Sequence, residues 1–278
     1  MGQPLVSVII PTYNRAWALK KAVDSVLVQE YSNFELIVVD DGSTDATQSL
    51  LSASKDRLIC IRQANQGVSV ARNRGVAEAA GGLIAFLDSD DYWQPQKLSV
   101  QVAFFNAHPD ARICQTEEIW VRDGRRVNPG RRHQKPDGMI FIPSLELCLV
   151  SPSAVMLEKD LFSELGGFDE NLPACEDYDL WLRVSCQYPV HLVKDPLVVK
   201  RGGHPDQLSS QPGLDKYRIA SIEKLLVGQK LSMRQYSAAV KVLKTKCAIY
   251  AAGCQKRGKT EEAEYYLALS RKYGRGEV

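Results

Sequence analysis

Three groups of acids stand where apolar stretches end or begin. Asp40-Asp41 follows Leu36-Ile37-Val38-Val39, Asp88-Ser89-Asp90-Asp91 follows Leu83-Ile84-Ala85-Phe86-Leu87, and Glu176-Asp177 precedes Leu180, Trp181 and Val184. Carboxylates crowded in this way repel one another, so the cluster at 88–91 calls for a divalent cation or a ring of hydroxyl donors. The pair at 176–177 has helical spacing behind it, so it sits at a helix N-terminus, where negative charge is favoured. Taken alone, such a pair is a helix cap.

The apolar run 83–87, flanked by Gly81-Gly82, reads as a buried strand that delivers Asp88, Ser89 and Asp90 to the rim of a sheet. Open α/β sheets bind ligands at that rim. Upstream, residues 5–10 form a β-branched run closed by Pro11, and residues 15–29 show helical spacing through Leu19, Val23, Val26 and Leu27. Residues 34–39 form a second strand ending in Asp40-Asp41-Gly42-Ser43-Thr44-Asp45, with Gly42 suited to a turn and Ser43 or Thr44 to a helix cap. Residues 57–62 are a weaker third strand, and residues 66–80 a helix opened by Gly67 and Ser69. Strands alternating with helices of this length predict a parallel sheet with helices on both faces.

In such a sheet, Asp40-Asp41, Asp88-Ser89-Asp90 and the loop Pro11-Thr12-Tyr13-Asn14 share one edge. By itself Asp40-Asp41-Gly42-Ser43 is a solvated turn with a cap, but shared placement points to one crevice. There Tyr13 can lie against a base and Asp41 can accept the imide N–H of uracil.

Composition narrows the alternatives. A chain of 278 residues that is 45% hydrophobic buries a substantial core, and a formal charge of +2 from 35 basic and 33 acidic residues gives no case for nucleic acid as a partner. The seven cysteines are an odd number with no C-x-x-C spacing, which predicts neither a disulfide framework nor a zinc site, and a reduced cytoplasmic setting. Met1-Gly2-Gln3-Pro4 runs into the first strand without the pattern of a signal peptide, and no window is apolar enough for a transmembrane segment. Membrane contact, if any, is expected to be peripheral, at the inner face.

As an ordered set, the motifs resemble glycosyltransferase family 2. They are Ser7-Val8-Ile9-Ile10-Pro11-Thr12-Tyr13-Asn14-Arg15, Val38-Val39-Asp40-Asp41-Gly42-Ser43-Thr44-Asp45, Asn65-Gln66-Gly67, Ala71-Arg72-Asn73-Arg74-Gly75 and Phe86-Leu87-Asp88-Ser89-Asp90-Asp91. Leu165-Gly166-Gly167-Phe168-Asp169, a spacer and then Glu176-Asp177-Tyr178-Asp179-Leu180-Trp181-Leu182-Arg183 resemble the family's catalytic segment. The likeness covers residues 5–205.

The resemblance implies the GT-A fold, an α/β Rossmann-like mixed, mostly parallel sheet with helices on both faces. It also implies an inverting enzyme that uses a nucleotide-diphosphate-sugar, with a UDP-sugar expected, and a Mn²⁺ or Mg²⁺ ion. Asp90 becomes the metal ligand, with Asp88 a metal-shell or ribose contact and Ser89 between them. Asp41, with Asp40, becomes the uracil contact, and the 11–15 loop, through Pro11, Thr12, Tyr13 and Arg15, holds the nucleoside. Asp177 is implied as general base, with Glu176 orienting it or the acceptor. Arg72 is a candidate phosphate contact through its guanidinium fork, or else a surface helix arginine. His204, in a glycine-flanked loop, is either a metal ligand or an ordinary loop histidine.

Further along, residues 96–106, after Pro95, read as a helix ended by His108-Pro109-Asp110, residues 112–121 and 126–127 as a hairpin around Asp123-Gly124, and residues 151–156 as a strand. The basic loop 131–138 is a lid over phosphates or a solvated loop, and residues 192–200 read as two short strands around Asp195-Pro196. From Leu214 onward the pattern is helical, with a hairpin over 236–273 that faintly resembles one tetratricopeptide-type unit. It is expected to pack on the catalytic domain or, as a homodimer contact, on a sister subunit.

The expected division is therefore 1–107 as the nucleotide-sugar-binding half, 108–212 as the acceptor-binding and catalytic half, and 213–278 as a C-terminal helical region. Without the Q-x-x-R-W signature of processive synthases, transfer of one sugar to a hydroxyl of a glycan, lipid-linked or small-molecule acceptor is the expected reaction. Two alternatives stay open. One is a sugar-phosphate nucleotidyltransferase, which is expected to carry a G-x-G-x-R loop where this chain has Pro11-Thr12-Tyr13-Asn14-Arg15. The other is a catalytically silent nucleotide-sugar-binding scaffold.

Overall fold

Strands that are apolar on both faces need helices on both sides, and the chain supplies them in alternation. In this computed structural model, residues 3–204, 207, 211–228 and 231–273 are described. The first half runs β1 (Val6–Thr12), α1 (Ala16–Leu27), β2 (Phe34–Asp40), α2 (Thr47–Ser52), β3 (Ile59–Arg62), α3 (Val68–Glu78), β4 (Leu83–Phe86), β5 (Tyr92–Trp93) and α4 (Lys97–Ala107). The second half runs β6 (Ile113–Arg122), β7 (Arg125–Val127), α5 (Phe141–Ser144), β8 (Val155–Glu158), α6 (Lys159–Glu164), α7 (Glu176–Ser185) and β9 (His191–Gly202). Three helices follow: α8 (Asp215–Val227), α9 (Met233–Lys256) and α10 (Thr260–Lys272).

The sheet order is β3-β2-β1-β4-β8-β6-β9-β5, with β7 pairing β6. β3, β2, β1 and β4 are parallel neighbours, as the α/β alternation predicts. β8 joins β4 and β6 antiparallel, and β9 pairs β6 in parallel. Thr12 lies opposite Asp40, so the loops after β1 and β2 leave the sheet at one edge.

Alternation along β1 divides the core. Val8 and Ile10 pack with Leu19 and Val23 of α1 and Leu98 and Val102 of α4, whereas Ile9 packs with Ala71 and Val76 of α3 and Leu180 and Trp181 of α7. Gly75 lets α3 approach the sheet, because a Cβ there would stand 2.5 Å from Ile9 Cγ2. A third cluster joins Tyr178 and Leu182 of α7 and Phe141 of α5 to Ile219 and Ile222 of α8 and Leu243 and Cys247 of α9. The C-terminal helices thus dock on the helix that begins with Glu176 and Asp177.

Three local expectations are corrected. Residues 151–154 are not strand: Pro152–Ala154 is a 3-10 turn and β8 starts at Val155. The two short strands over 192–200 are one strand, β9, whose pairing with β6 slips around Lys194-Asp195 and so absorbs Pro196 as a bulge. Neither Ser43 nor Thr44 caps α2. Ala46 occupies that position, and Asp45 accepts from the N–H of Thr47 at 2.9 Å. The hairpin at Asp123-Gly124 forms as read, with φ of 48° and 73° at its corner.

Candidate active site

The strand ends open into one cleft of about 1760 Å³ that also reaches the N-terminus of α7 and the C-terminal helices. Pro11, Thr12, Tyr13, Arg15, Asp41, Arg72, Asp88, Ser89, Asp90, Glu176, Asp177 and His204 all line it. Asp40 does not.

The loops after β1 and β2 are tied to each other. Asn14, at φ 52°, accepts from the N–H of Thr44 at 2.8 Å and donates its own N–H to Ser43 Oγ at 2.9 Å. Asp40 holds this turn from below, because its buried Oδ1 accepts from Ser43 N–H at 2.9 Å. Its expected part in nucleoside recognition is corrected accordingly. As the last residue of β2, its side chain turns into the protein, away from the cleft. Asp41, one residue on, accepts from Gln63 Nε2 at 2.8 Å and from the N–H groups of Gln66 at 2.9 Å and Gly67 at 2.8 Å. Three donors fix its carboxylate at the cleft wall and leave one lone-pair direction for a ligand. Tyr13, 45% exposed, lines the same cleft.

The acids after β4 have separate partners. Asp91 is buried. It accepts from Ser153 Oγ at 2.7 Å and from the N–H of Arg201 at 2.8 Å, so it fastens the end of β9 to the rim. Burial and the charge of Asp90 push its carboxyl well above the usual carboxylate range. Asp88 Oδ1 accepts from Arg72 Nη2 at 2.7 Å, and Arg72 Nη1 donates to Glu176 Oε1 at 2.6 Å. Arg72 is therefore not a surface arginine, and both its Nη atoms are engaged by carboxylates. It is a buried tie between the strand carrying Asp88 and the helix carrying Asp177, and it also lies 5.0 Å from the ring of Phe168. The Glu176 carboxyl is nonetheless raised, by burial first and by Asp177 next, against the pull of Arg72.

Asp90 faces the cleft with Oδ2 2.7 Å from His204 Nε2. Burial, and then Asp88, raise its carboxyl, while His204 and Arg15 oppose the shift. A hard cation would relieve that crowding, and the two donors fit one. Among the described residues no group of three His, Cys, Asp or Glu gathers. One or two carboxylates completed by phosphate oxygens and water are the usual pattern for Mg²⁺, and Asp90 supplies the carboxylate, while the His204 nitrogen suits a softer divalent ion. Around them, Arg15 and Arg201 lie 5.9 and 5.5 Å from the ring of the half-exposed Trp17, and His204 packs edge-on against the same ring at 5.4 Å. Of the loop expected over 201–209, residues 205, 206, 208 and 209 lie outside the described residues.

On the opposite wall, α7 starts from Cys175 in the left-handed region, φ 62°, a strained conformation for a residue with a side chain. Asp177 follows. Its Oδ1 accepts from the N–H of Tyr178 at 2.7 Å, and its Oδ2 lies 3.5 Å from the thiol of Cys148, which burial and the Asp177 charge hold well above its ordinary pKa. The Gly166-Gly167 turn, with φ 76° and 67°, places Phe168 in the core. Asn73 of α3 bonds both the N–H and the carbonyl of Phe168, at 3.0 and 2.9 Å. Arg183 donates to Asp179 at 2.9 Å and to the carbonyl of Gly167 at 2.7 Å, which fixes α7 to that turn.

Lys200 is a site residue that the sequence reading missed. It lines the cleft from β9 and stays charged despite burial, because Glu118, Asp91, Asp88 and Asp177 all raise it. Lys135 of the basic loop is tied to Glu118 at 2.9 Å, so this part of the loop is anchored, while Arg131 and Arg132 are exposed at the cleft mouth.

Comparison with known proteins agrees with this geometry. An uncharacterized glycosyltransferase of Rickettsia typhi is 35% identical over 198 residues, 68% of this chain and 62% of its own. The chain spans only 36% of a Rickettsia felis relative to which it is 32% identical. The putative teichuronic acid biosynthesis glycosyltransferase TuaG of Bacillus subtilis is 30% identical over 65% of this chain and 71% of its own. In fold, the chain is similar to S. aureus TarS 1-349 in complex with UDP-GlcNAc, with a TM-score of 0.69, 18% identity and coverage of 98% and 92%. It is also similar to the mannosyltransferase PcManGT of Pyrobaculum calidifontis in complex with GDP-Man and Mn²⁺, with a TM-score of 0.59, 19% identity and coverage of 100% and 89%. These likenesses show the GT-A fold. Among the described residues no helix is long and apolar enough to cross a membrane. The family model "Glycosyl transferase family 2" matches residues 7–166, and "Glycosyltransferase like family 2" matches residues 136–214. Because the first of these spans more than half of the chain, the chain belongs to glycosyl transferase family 2.

Proposed function

We propose that this chain transfers one sugar from a nucleotide-diphosphate-sugar, with UDP as the nucleotide, to an acceptor hydroxyl by a single inverting displacement. One observation carries the reading. Asp90 with His204 and Asp177 line the same cleft from different elements, and the Asp88–Arg72–Glu176 chain couples the two walls. The donors in the TarS and PcManGT complexes, UDP-GlcNAc and GDP-Man, support a nucleotide-sugar.

Tyr13 supplies a face for the base, and Asp41, oriented by its internal donors, accepts from the base edge. Arg15, Arg201 and Lys200 give the diphosphate a positive wall, which charge-assisted contacts reward. Asp90 and His204 would hold a divalent cation, with Asp88 set back by its bond to Arg72. When bound, such a cation supplies charge neutralisation for the departing diphosphate. Asp177 takes the proton of the acceptor hydroxyl. The new bond forms at the anomeric carbon as the bond to the diphosphate oxygen breaks with its electron pair, and the configuration inverts. Cys148 and the N–H of Tyr178 hold the Asp177 carboxylate, and Glu176 fixes the helix start through Arg72.

A thermal-shift screen of UDP, GDP, UDP-sugars and GDP-mannose, with and without Mn²⁺, tests the reading. A ligand that binds only the folded chain raises its apparent stability by mass action, by about 2.7 kcal/mol at a hundredfold excess over Kd. Stabilisation by UDP or a UDP-sugar, enhanced by Mn²⁺, is expected. No shift with any nucleotide would sink it.

A further inference from the structure

The C-terminal helices do more than cover α7. Leu214, Asp215 and Arg218 of the α8 start and Lys246 of α9 line the same cleft as Asp177. Arg218 is close enough to Cys175 and Tyr178, the residues on either side of Glu176-Asp177, for its charge to act on both. Cys175 Sγ also lies 3.9 Å from the carbonyl of Leu214. This wall therefore meets whatever hydroxyl Asp177 deprotonates.

Its charges are unbalanced. Arg218 Nη1 and Lys246 Nζ converge on one oxygen, Asp215 Oδ1, at 3.1 and 3.6 Å. The Nε of Arg218 is buried and has no hydrogen-bond partner among the described residues. Across the mouth, Arg122, Arg131 and Arg132 line the cleft from the end of β6 and the 3-10 turn at Arg131–His133. Asp177, Asp215 and Glu146 are the acids set against these five cations, the Lys135–Glu118 pair being closed on itself. In a chain of net charge +2, such a local excess of positive charge favours an anion. The donor diphosphate is already met by Arg15, Arg201 and Lys200 at the strand ends, so these cations are left for the acceptor.

We propose that the acceptor is anionic, a glycan or glycan precursor that carries phosphate or carboxylate groups near the attacking hydroxyl. Arg218 and Lys246 engage its charge on one side, and Arg131 and Arg132 on the other. The proposal rests on the glycosyltransferase reading and makes the helical region part of the acceptor site.

The test is calorimetric titration of the full chain, saturated with UDP and Mn²⁺ so that the donor end is filled. The probes are a short glycerol phosphate oligomer, trigalacturonate and neutral maltotriose. At least one anionic probe is expected to bind about tenfold or more tightly than maltotriose, the worth of one charge-assisted hydrogen bond. Which anion wins distinguishes phosphate from carboxylate. Arg218→Gln is expected to weaken the anionic probe about tenfold. The exposed pair Arg131→Gln/Arg132→Gln is expected to weaken it too, and keeps the test alive if Arg218→Gln fails to fold. Lys241→Gln, an equal charge change on the exposed face of α9, is the control. Equal or absent binding of the three probes, or an equal loss in the Lys241→Gln control, would overturn the proposal. Failure of the preceding UDP titration would instead remove the glycosyltransferase reading on which it rests.

Discussion

Replacing Arg72 by methionine should separate the two walls of the cleft. The side chain is 5% exposed and satisfies Glu176, 7% exposed, and Asp88, 27% exposed. Removing one partner of a buried ion pair costs about 3–5 kcal/mol, because the charge left behind is uncompensated. The Glu176 arm carries most of this. Asp88 recovers water, so its arm adds no more than about 1 kcal/mol. With a urea m-value of about 2–3 kcal/mol/M, the unfolding midpoint should fall by roughly 1–2.5 M at pH 7.5.

The loss should depend on pH in one direction. The Glu176 carboxyl is already raised by burial and by Asp177, and without Arg72 it rises further. A carboxyl whose folded pKa is raised binds its proton more tightly in the folded state. The penalty is therefore full above that folded pKa and is relieved as pH falls through it towards the unfolded value of about 4.3. Urea titrations of wild type and Arg72→Met between pH 8 and pH 5 should show the stability gap narrowing. An unchanged midpoint, or a gap that stays constant or widens on acidification, would refute the assignment of Arg72 as the tie.

Other variants probe separate parts of the site. Asp41→Ala removes the acceptor for three donors and should cost about 2–4 kcal/mol in urea unfolding, with base affinity lost as well. Asp90→Ala and His204→Ala should weaken UDP binding with Mn²⁺ far more than without it in calorimetry, and equal losses in both conditions would remove them from the cation shell. Gly75→Ala should destabilise by about 1–3 kcal/mol, since a Cβ would press on Ile9 in the sheet.

The sheet rim was legible because buried strands advertise themselves as apolar runs and the acids follow at once. Period two alone does not say which of two consecutive acids faces the cleft; in the fold Asp40 bonds beneath the turn and Asp41 lines the cleft. The Arg72–Glu176 bond spans 104 residues, and nothing local in Ala71-Arg72-Asn73 announces a partner that far away. Lys200 was missed for a related reason. It looks like a strand-end lysine until β9 lies beside β6 and brings it among Glu118, Asp91 and Asp177. The helical character of the C-terminal region was readable from its spacing, whereas its place beside Asp177 depends on packing against α7.

The central claim is that Asp177 is the base of a sugar transfer, and nucleoside diphosphate release from a UDP-sugar, with water or an acceptor, tests it most directly. Wild type with Mn²⁺ should release UDP, and Asp177→Asn, near-isosteric but unable to take a proton, should lower the rate by about 10²–10⁴-fold. Equal rates in the two proteins would contradict the account.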